Sequence, residues 1–116
     1  MAVTVNTKAY NADSLEKDAI GYAGPAHTIS SKDLLSMKRI PPKPTADFKG
    51  VAKVMAKFTR TVQTGTDTYH DAIVEVSASL PVGISEADVD SIRDDMGDFL
   101  LLQAADDLFL KQDINA

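Results

Sequence analysis

The sequence predicts an α+β fold in one domain of 116 residues, mainly β over 1–83 and helical over 84–116. Two observations carry this. Up to about Leu80, apolar and polar side chains alternate with period two, broken by Gly, Pro and Asn/Asp clusters. From Ser85 onward the apolar spacing changes to three and four residues.

Val3, Val5 and Thr7 alternate with Thr4, Asn6 and Lys8 and read as a first strand. Asn11-Ala12-Asp13-Ser14 reads as a turn. Residues 17–23 and 26–31 read as short strands separated by Gly24-Pro25. Leu34 to Ile40 is another strand, stopped by Pro41-Pro42-Lys43-Pro44 because proline removes the ladder donor. Two longer strands follow. From Val51 to Gln63, Ala52, Val54, Ala56, Phe58 and Val62 mark an apolar face interrupted by Arg60, while Lys53, Met55, Lys57, Thr59 and Thr61 mark the other. Thr64-Gly65-Thr66-Asp67 turns the chain. From Tyr69 to Leu80, Ala72, Val74, Val76, Ala78 and Leu80 face one way; Tyr69, Asp71, Ile73, Glu75, Ser77 and Ser79 face the other. Paired, the two strands share one buried and one solvated face. Ser85 then caps a helix, with Asp88 at its third position and Ile84 and Val89 as a hydrophobic staple. Val89, Ile92, Met96 and Phe99 or Leu100 form its apolar stripe. Ala104 to Ile114 reads as a second helix anchored by Leu108 and Phe109.

A net charge of −5 conceals a strong division along the chain. Residues 32–63 hold eight Lys or Arg against two acids, and residues 64–116 hold two bases against twelve acids. A basic middle beside an acidic tail points to a surface that faces a polyanion. No cysteine is present, which excludes disulfides, thiol catalysis and Cys-ligated metals. No run approaches the roughly 18 apolar residues of a membrane span, and Val3-Thr4-Val5-Asn6 is too short and polar for a signal-peptide core. There is no phosphate-binding Gly loop, G-x-S-x-G or H-E-x-x-H. No metal, cofactor or catalytic residue is therefore expected.

The basic odd face of 51–63 is the sharpest candidate site. Lys53 and Lys57 lie about 13 Å apart along one strand face, which suits separate phosphates. Thr59 and Thr61 add uncharged donors. The competing reading is a solvated lysine face that discourages edge aggregation. Tyr69 projects to the same side and has the form of a base-stacking residue or a packing residue. Glu75 accepts either from a base amino group or from a cross-strand lysine. His27 and His70 fit no ligand or nucleophile pattern; His70 falls on the apolar face. Asp94-Asp95 with Asp98, and Asp106-Asp107, read as solvated helix faces, because consecutive helical residues diverge.

The order Leu34-Leu35-Ser36-Met37-Lys38-Arg39-Ile40-Pro41, a Lys/Pro turn, Val51-Ala52-Lys53-Val54-Met55-Ala56-Lys57-Phe58, then Ala72 to Leu80, an acidic N-cap, Phe99-Leu100-Leu101-Leu102 and Asp106-Asp107-Leu108 resembles the coat proteins of single-stranded RNA bacteriophages, the leviviruses. The resemblance is best from about residue 32 to the end. It implies an N-terminal β-hairpin, a five-stranded antiparallel sheet and two C-terminal helices. It also implies an intertwined homodimer with a continuous ten-stranded sheet, assembling into an icosahedral capsid around genomic RNA after synthesis in the bacterial host cytoplasm. Repression of replicase translation through an RNA hairpin is a further implication. Matched by motif, Lys53, Met55, Lys57 and Thr59 fall on the RNA-facing strand, Glu75 and Ser77 on the next, and Lys38 and Ser36 on the preceding one. Phe99, Leu100, Leu101 and Leu102, with Leu108 and Phe109, offer more apolar surface than a small helix hides alone, as an obligate dimer interface would. The chain departs from the family at the short Gln63–Thr68 loop, and at Asp71 and Ile73, where polar or aromatic RNA contacts are usual. The competing readings are a non-assembling cytosolic nucleic-acid-binding dimer, and a small enzyme using His70 with Asp71 or Glu75.

Overall fold

The computed structural model describes residues 2–114. The Val3–Val5 alternation forms β1 (Ala2–Val5), which pairs antiparallel with β2 (Lys8–Leu15). Asn6 and Thr7 between them adopt φ of 52° and 66°, the backbone of a two-residue hairpin turn that follows the twist of its strands. The expected turn at Asn11–Ser14 is instead part of β2. Its polar residues mark a register shift between Ala12 and Ser14, a bulge that bends the strand without reversing it.

β3 covers Ala19–Ala23. The strand expected over 26–31 does not form. That segment satisfies its polar groups locally, with His27 N–H donating to Gly24 O (3.1 Å) and Thr28 N–H to Ser31 O (2.8 Å), so it has no ladder to join. β4 (Asp33–Ile40), β5 (Val51–Gly65) and β6 (Thr68–Pro81) complete one sheet in the order β1-β2-β3-β4-β5-β6, every neighbouring pair antiparallel. The expected hairpin plus five-stranded sheet is thus corrected to six strands. The missing strand is the one at 26–31, and the hairpin joins the sheet through β2–β3 pairing. Thr64 and Gly65 extend β5, leaving Thr66 and Asp67 as the turn, with Asp67 at φ 57°.

The core of this unit sits on the face carrying the even-numbered residues of β5. Tyr10, Tyr22 and Leu35 are buried there, with Val3, Val5, Ile20, Met37 and Phe58 packed against them. The rings of Tyr10 (β2) and Phe58 (β5) meet edge to face at 5.8 Å. Three strand spacings separate β2 from β5, about 14 Å in a flat sheet. The Tyr10 ring narrows that separation by leaning over Gly24, where a Cβ would lie 2.6 Å from Tyr10 Cε2. Arg60 finds its place in this fold. Its guanidinium donates to Tyr10 Oη (3.0 Å), Tyr10 donates to Asp33 Oδ1 (2.8 Å), and Arg60 Nε lies 3.5 Å from the same carboxylate. Asp33, 5% exposed, is the buried acid of the core. The bond to Tyr10 is the main reason that the guanidinium titrates above its ordinary value.

The chain divides into two compact units, Met1–Val82 and Gly83–Ala116. In the second, Ser85 caps α1 (Glu86–Leu100) as expected, its hydroxyl accepting from Asp88 N–H at 3.2 Å. Leu101 and Leu102 link α1 to α2 (Gln103–Lys111). α2 stops short of the expected Ile114 because Gln112 turns left-handed (φ 55°), its N–H closing onto Leu108 O. Ala105 is the buried side chain of the two helices; α1 buries none.

Candidate nucleic-acid interface

The register of β4, β5 and β6 sorts the odd-face residues into rows. Ile40, Lys53 and Ser79 lie side by side, then Lys38, Met55 and Ser77, then Ser36, Lys57 and Glu75, then Leu34, Thr59 and Ile73. The two-residue side-chain period gathers every expected contact on β4–β6 onto one surface. That surface includes Ser36 and Lys38. Tyr69 lies on the same side beyond Thr61 and Asp71, opposite Gln63 and 59% exposed. It is separated from Lys57 by two rows.

Among the described residues, Lys38, Lys53 and Lys57 make no ion pair. Glu75 stands directly opposite Lys57, and among the described residues it forms no ion pair, so the alternative reading of a cross-strand pair is not met in the single chain. Three ammonium groups, the hydroxyls of Ser36, Thr59, Ser77 and Ser79, and one carboxylate therefore share a solvated sheet face. The cations attract phosphate, the hydroxyls donate to it, and the carboxylate repels it while accepting from exocyclic amines.

At the far end of this face stands a group that sequence reasoning missed. Lys32 Nζ donates to Asp71 Oδ2 (3.0 Å) and Thr61 Oγ1 donates to Asp71 Oδ1 (2.9 Å). Lys32 N–H donates to Thr61 Oγ1 (2.8 Å), and Thr61 N–H to Lys32 O (3.0 Å). The Lys32 bond, then the Thr61 bond, holds the Asp71 carboxyl below its ordinary value. Lys32 lies outside β4, so strand alternation gave no signal for it. The Tyr10–Asp33–Arg60 group was also missed, although a lone arginine on an apolar face was a signal to seek its acid.

His70 is exposed and pairs with Val62 on the opposite face from Asp71 and Glu75. The constellation required by a His70 enzyme does not assemble, and two cavities lie elsewhere. One, of about 320 Å³, is bordered by Ile20, Tyr22 and Met37; another, of about 370 Å³, lies in the helical unit between Leu100 and Phe109. Among the described residues, no group of acids or histidines is arranged to hold a metal. No described helix is long and apolar enough to cross a membrane.

The expected interface residues keep their apolar surface open in the single chain. Leu101 is 87% exposed and Phe109 57%, and Phe99, Leu100, Leu102 and Leu108 are also exposed. Within the sheet unit, Val54, Val74 and Val76 on the even face are exposed too.

No protein-family model and no curated protein sequence matches the chain. Solved structures do. The chain from the virus-like particle of Beihai levi-like virus 32 superimposes with a TM-score of 0.82 at 20% identity, covering 96% of this chain and 91% of that one. The chain from the virus-like particle of Wenzhou levi-like virus 4 gives 0.75 at 28% identity, over 87% and 74%. That of bacteriophage AVE019 gives 0.77 at 17% identity, over 100% and 96%.

Proposed function

We propose that this chain, whose fold is that of the levi-like RNA phage coat proteins, is itself a capsid protein that assembles from dimers and holds genomic RNA against the odd face of its sheet. The observation that carries the RNA assignment is the row arrangement of Lys38, Lys53 and Lys57 without ion-pair partners. Unpaired lysines on a strand face recognise a backbone of phosphates rather than a single anion, because their spacing repeats along the strand. Ser36, Met55 and Ser77 lie beside them, Thr59 lies one row beyond Lys57, and Glu75 offers an acceptor for a base amino group. A structural role in the virion follows, rather than catalysis.

The dimer rests on apolar surface. The helical unit buries one small side chain, and the valines of the β5–β6 even face are open to solvent. Such surfaces are costly in water and are covered in obligate dimers. Phe99, Leu100, Leu101, Leu102, Leu108 and Phe109 supply the contacts, and the six-stranded sheets of the two copies together make the surface that faces RNA. The same surface binds a hairpin in the genome to repress replicase translation.

The test is Lys53→Glu with Lys57→Glu. Replacing two phosphate contacts reduces the magnitude of the salt slope of binding to single-stranded RNA by at least about 1.4. Particles of the variant should carry severalfold less RNA than those of the wild type. Unchanged RNA content and unchanged salt slope would remove these lysines from the interface.

A further inference from the structure

We infer that Asp71 limits the RNA footprint by sequestering Lys32, so that the sheet face presents three free cations instead of four. The inference rests on the RNA-facing reading of that sheet. Asp71 stands on the odd face of β6, next to Thr61 in register. One carboxylate oxygen accepts from Lys32 Nζ at 3.0 Å and the other from Thr61 Oγ1 at 2.9 Å. The backbone of Lys32 is itself fixed to Thr61 through two hydrogen bonds. The ammonium is thus anchored from both ends and neutralised in place, while remaining solvent-accessible, its side chain 54% exposed.

The position of this group matters. Beyond it lies Tyr69; before it lies the row of Leu34, Thr59 and Ile73, which carries no charge. An RNA strand running along the sheet from Lys53 past Lys57 meets an uncharged row, then an anchored, neutralised ion pair. It gains no counterion release there, because phosphate must first displace a carboxylate that holds Lys32. The network therefore ends the electrostatic track at the Ser36–Lys57–Glu75 row and leaves Tyr69 outside it.

The experiment uses the full-length chain, returned from denaturant at a concentration below that of particle formation. It is titrated with a short labelled oligouridylate across a salt series. Wild type, Asp71→Asn, and Asp71→Asn with Lys32→Gln are compared. Freeing Lys32 adds one phosphate contact, so the slope of Asp71→Asn steepens by about 0.7. Across a fourfold rise in salt, that variant loses roughly 2.6-fold more of its affinity than the wild type does. Adding Lys32→Gln returns the slope to the wild-type value. If Asp71→Asn binds with the wild-type slope, the inference is overturned. It is equally overturned if the steeper slope survives Lys32→Gln, since the effect is then loss of a negative charge and not release of the lysine. A wild-type chain that does not bind the oligouridylate at all overturns the RNA-facing reading itself.

Discussion

Arg60 interrupts an apolar strand face, and its surroundings show why it is tolerated. Its guanidinium reaches Tyr10 and Asp33, which arrive from β2 and from the start of β4. The Asp33 carboxylate also accepts from Ala26 N–H at 3.3 Å, so the buried acid is satisfied on several sides. Gly24 leaves the room for this arrangement. A Cβ at that position would lie 2.6 Å from Tyr10 Cε2 and closer still to the Asp33 carboxylate. Tyr10→Phe removes the donor to a carboxylate that stays buried, and should cost about 1–3 kcal/mol in chemical denaturation. The strand alternation that marked Lys53, Lys57 and Thr59 was legible because it depends on one strand alone. The partners of Arg60 were not, because they come from distant segments brought together by strand pairing across the sheet.

Among the elements, the strands were easier to find than the turns between them. β4, β5 and β6 and the capped start of α1 stand where the periodicity and Ser85 put them. The first hairpin did not. Its turn uses Asn6 and Thr7 at positive φ, and a β-branched threonine there gives no sequence cue. The polar Asn11–Ser14 run, which looks like a turn, is accommodated as a bulge in β2. The end of α2 likewise depends on a left-handed glutamine and not on a glycine. The Lys32–Thr61–Asp71 network joins the segment before β4 to β5 and β6, and its contribution depends on pH. The Asp71 carboxyl is depressed in the folded chain relative to its ordinary value of 3.8. Its stabilisation is therefore present above that value and is lost as pH falls through the lower folded value. The difference in melting temperature between wild type and Asp71→Asn, favouring the wild type at neutral pH, should shrink to nothing in strong acid. A difference that persists there would mean that the two bonds contribute no charge-dependent stability.

For the whole molecule, the charge division along the sequence and the exposed apolar faces describe a subunit made for an assembly. Lys38, Lys53 and Lys57 are gathered on one face of the β unit, and the C-terminal unit is acidic. Neither unit encloses a large core. The buried apolar side chains among the described residues are Tyr10, Tyr22, Leu35 and Ala105, while valines of the sheet and leucines of the helices stay open. A chain of this size ordinarily buries more than half of its unfolded surface, and under the proposed function a partner copy covers the apolar remainder. A two-residue turn at Thr66–Asp67 joins β5 to β6. The proposed function requires that this chain build an RNA-filled shell. Its most direct test is to express the chain alone and examine the product by size-exclusion chromatography and negative-stain microscopy, reading nucleic-acid content from the ultraviolet absorbance spectrum. The account predicts uniform closed particles rich in RNA. A small soluble species free of nucleic acid would contradict it.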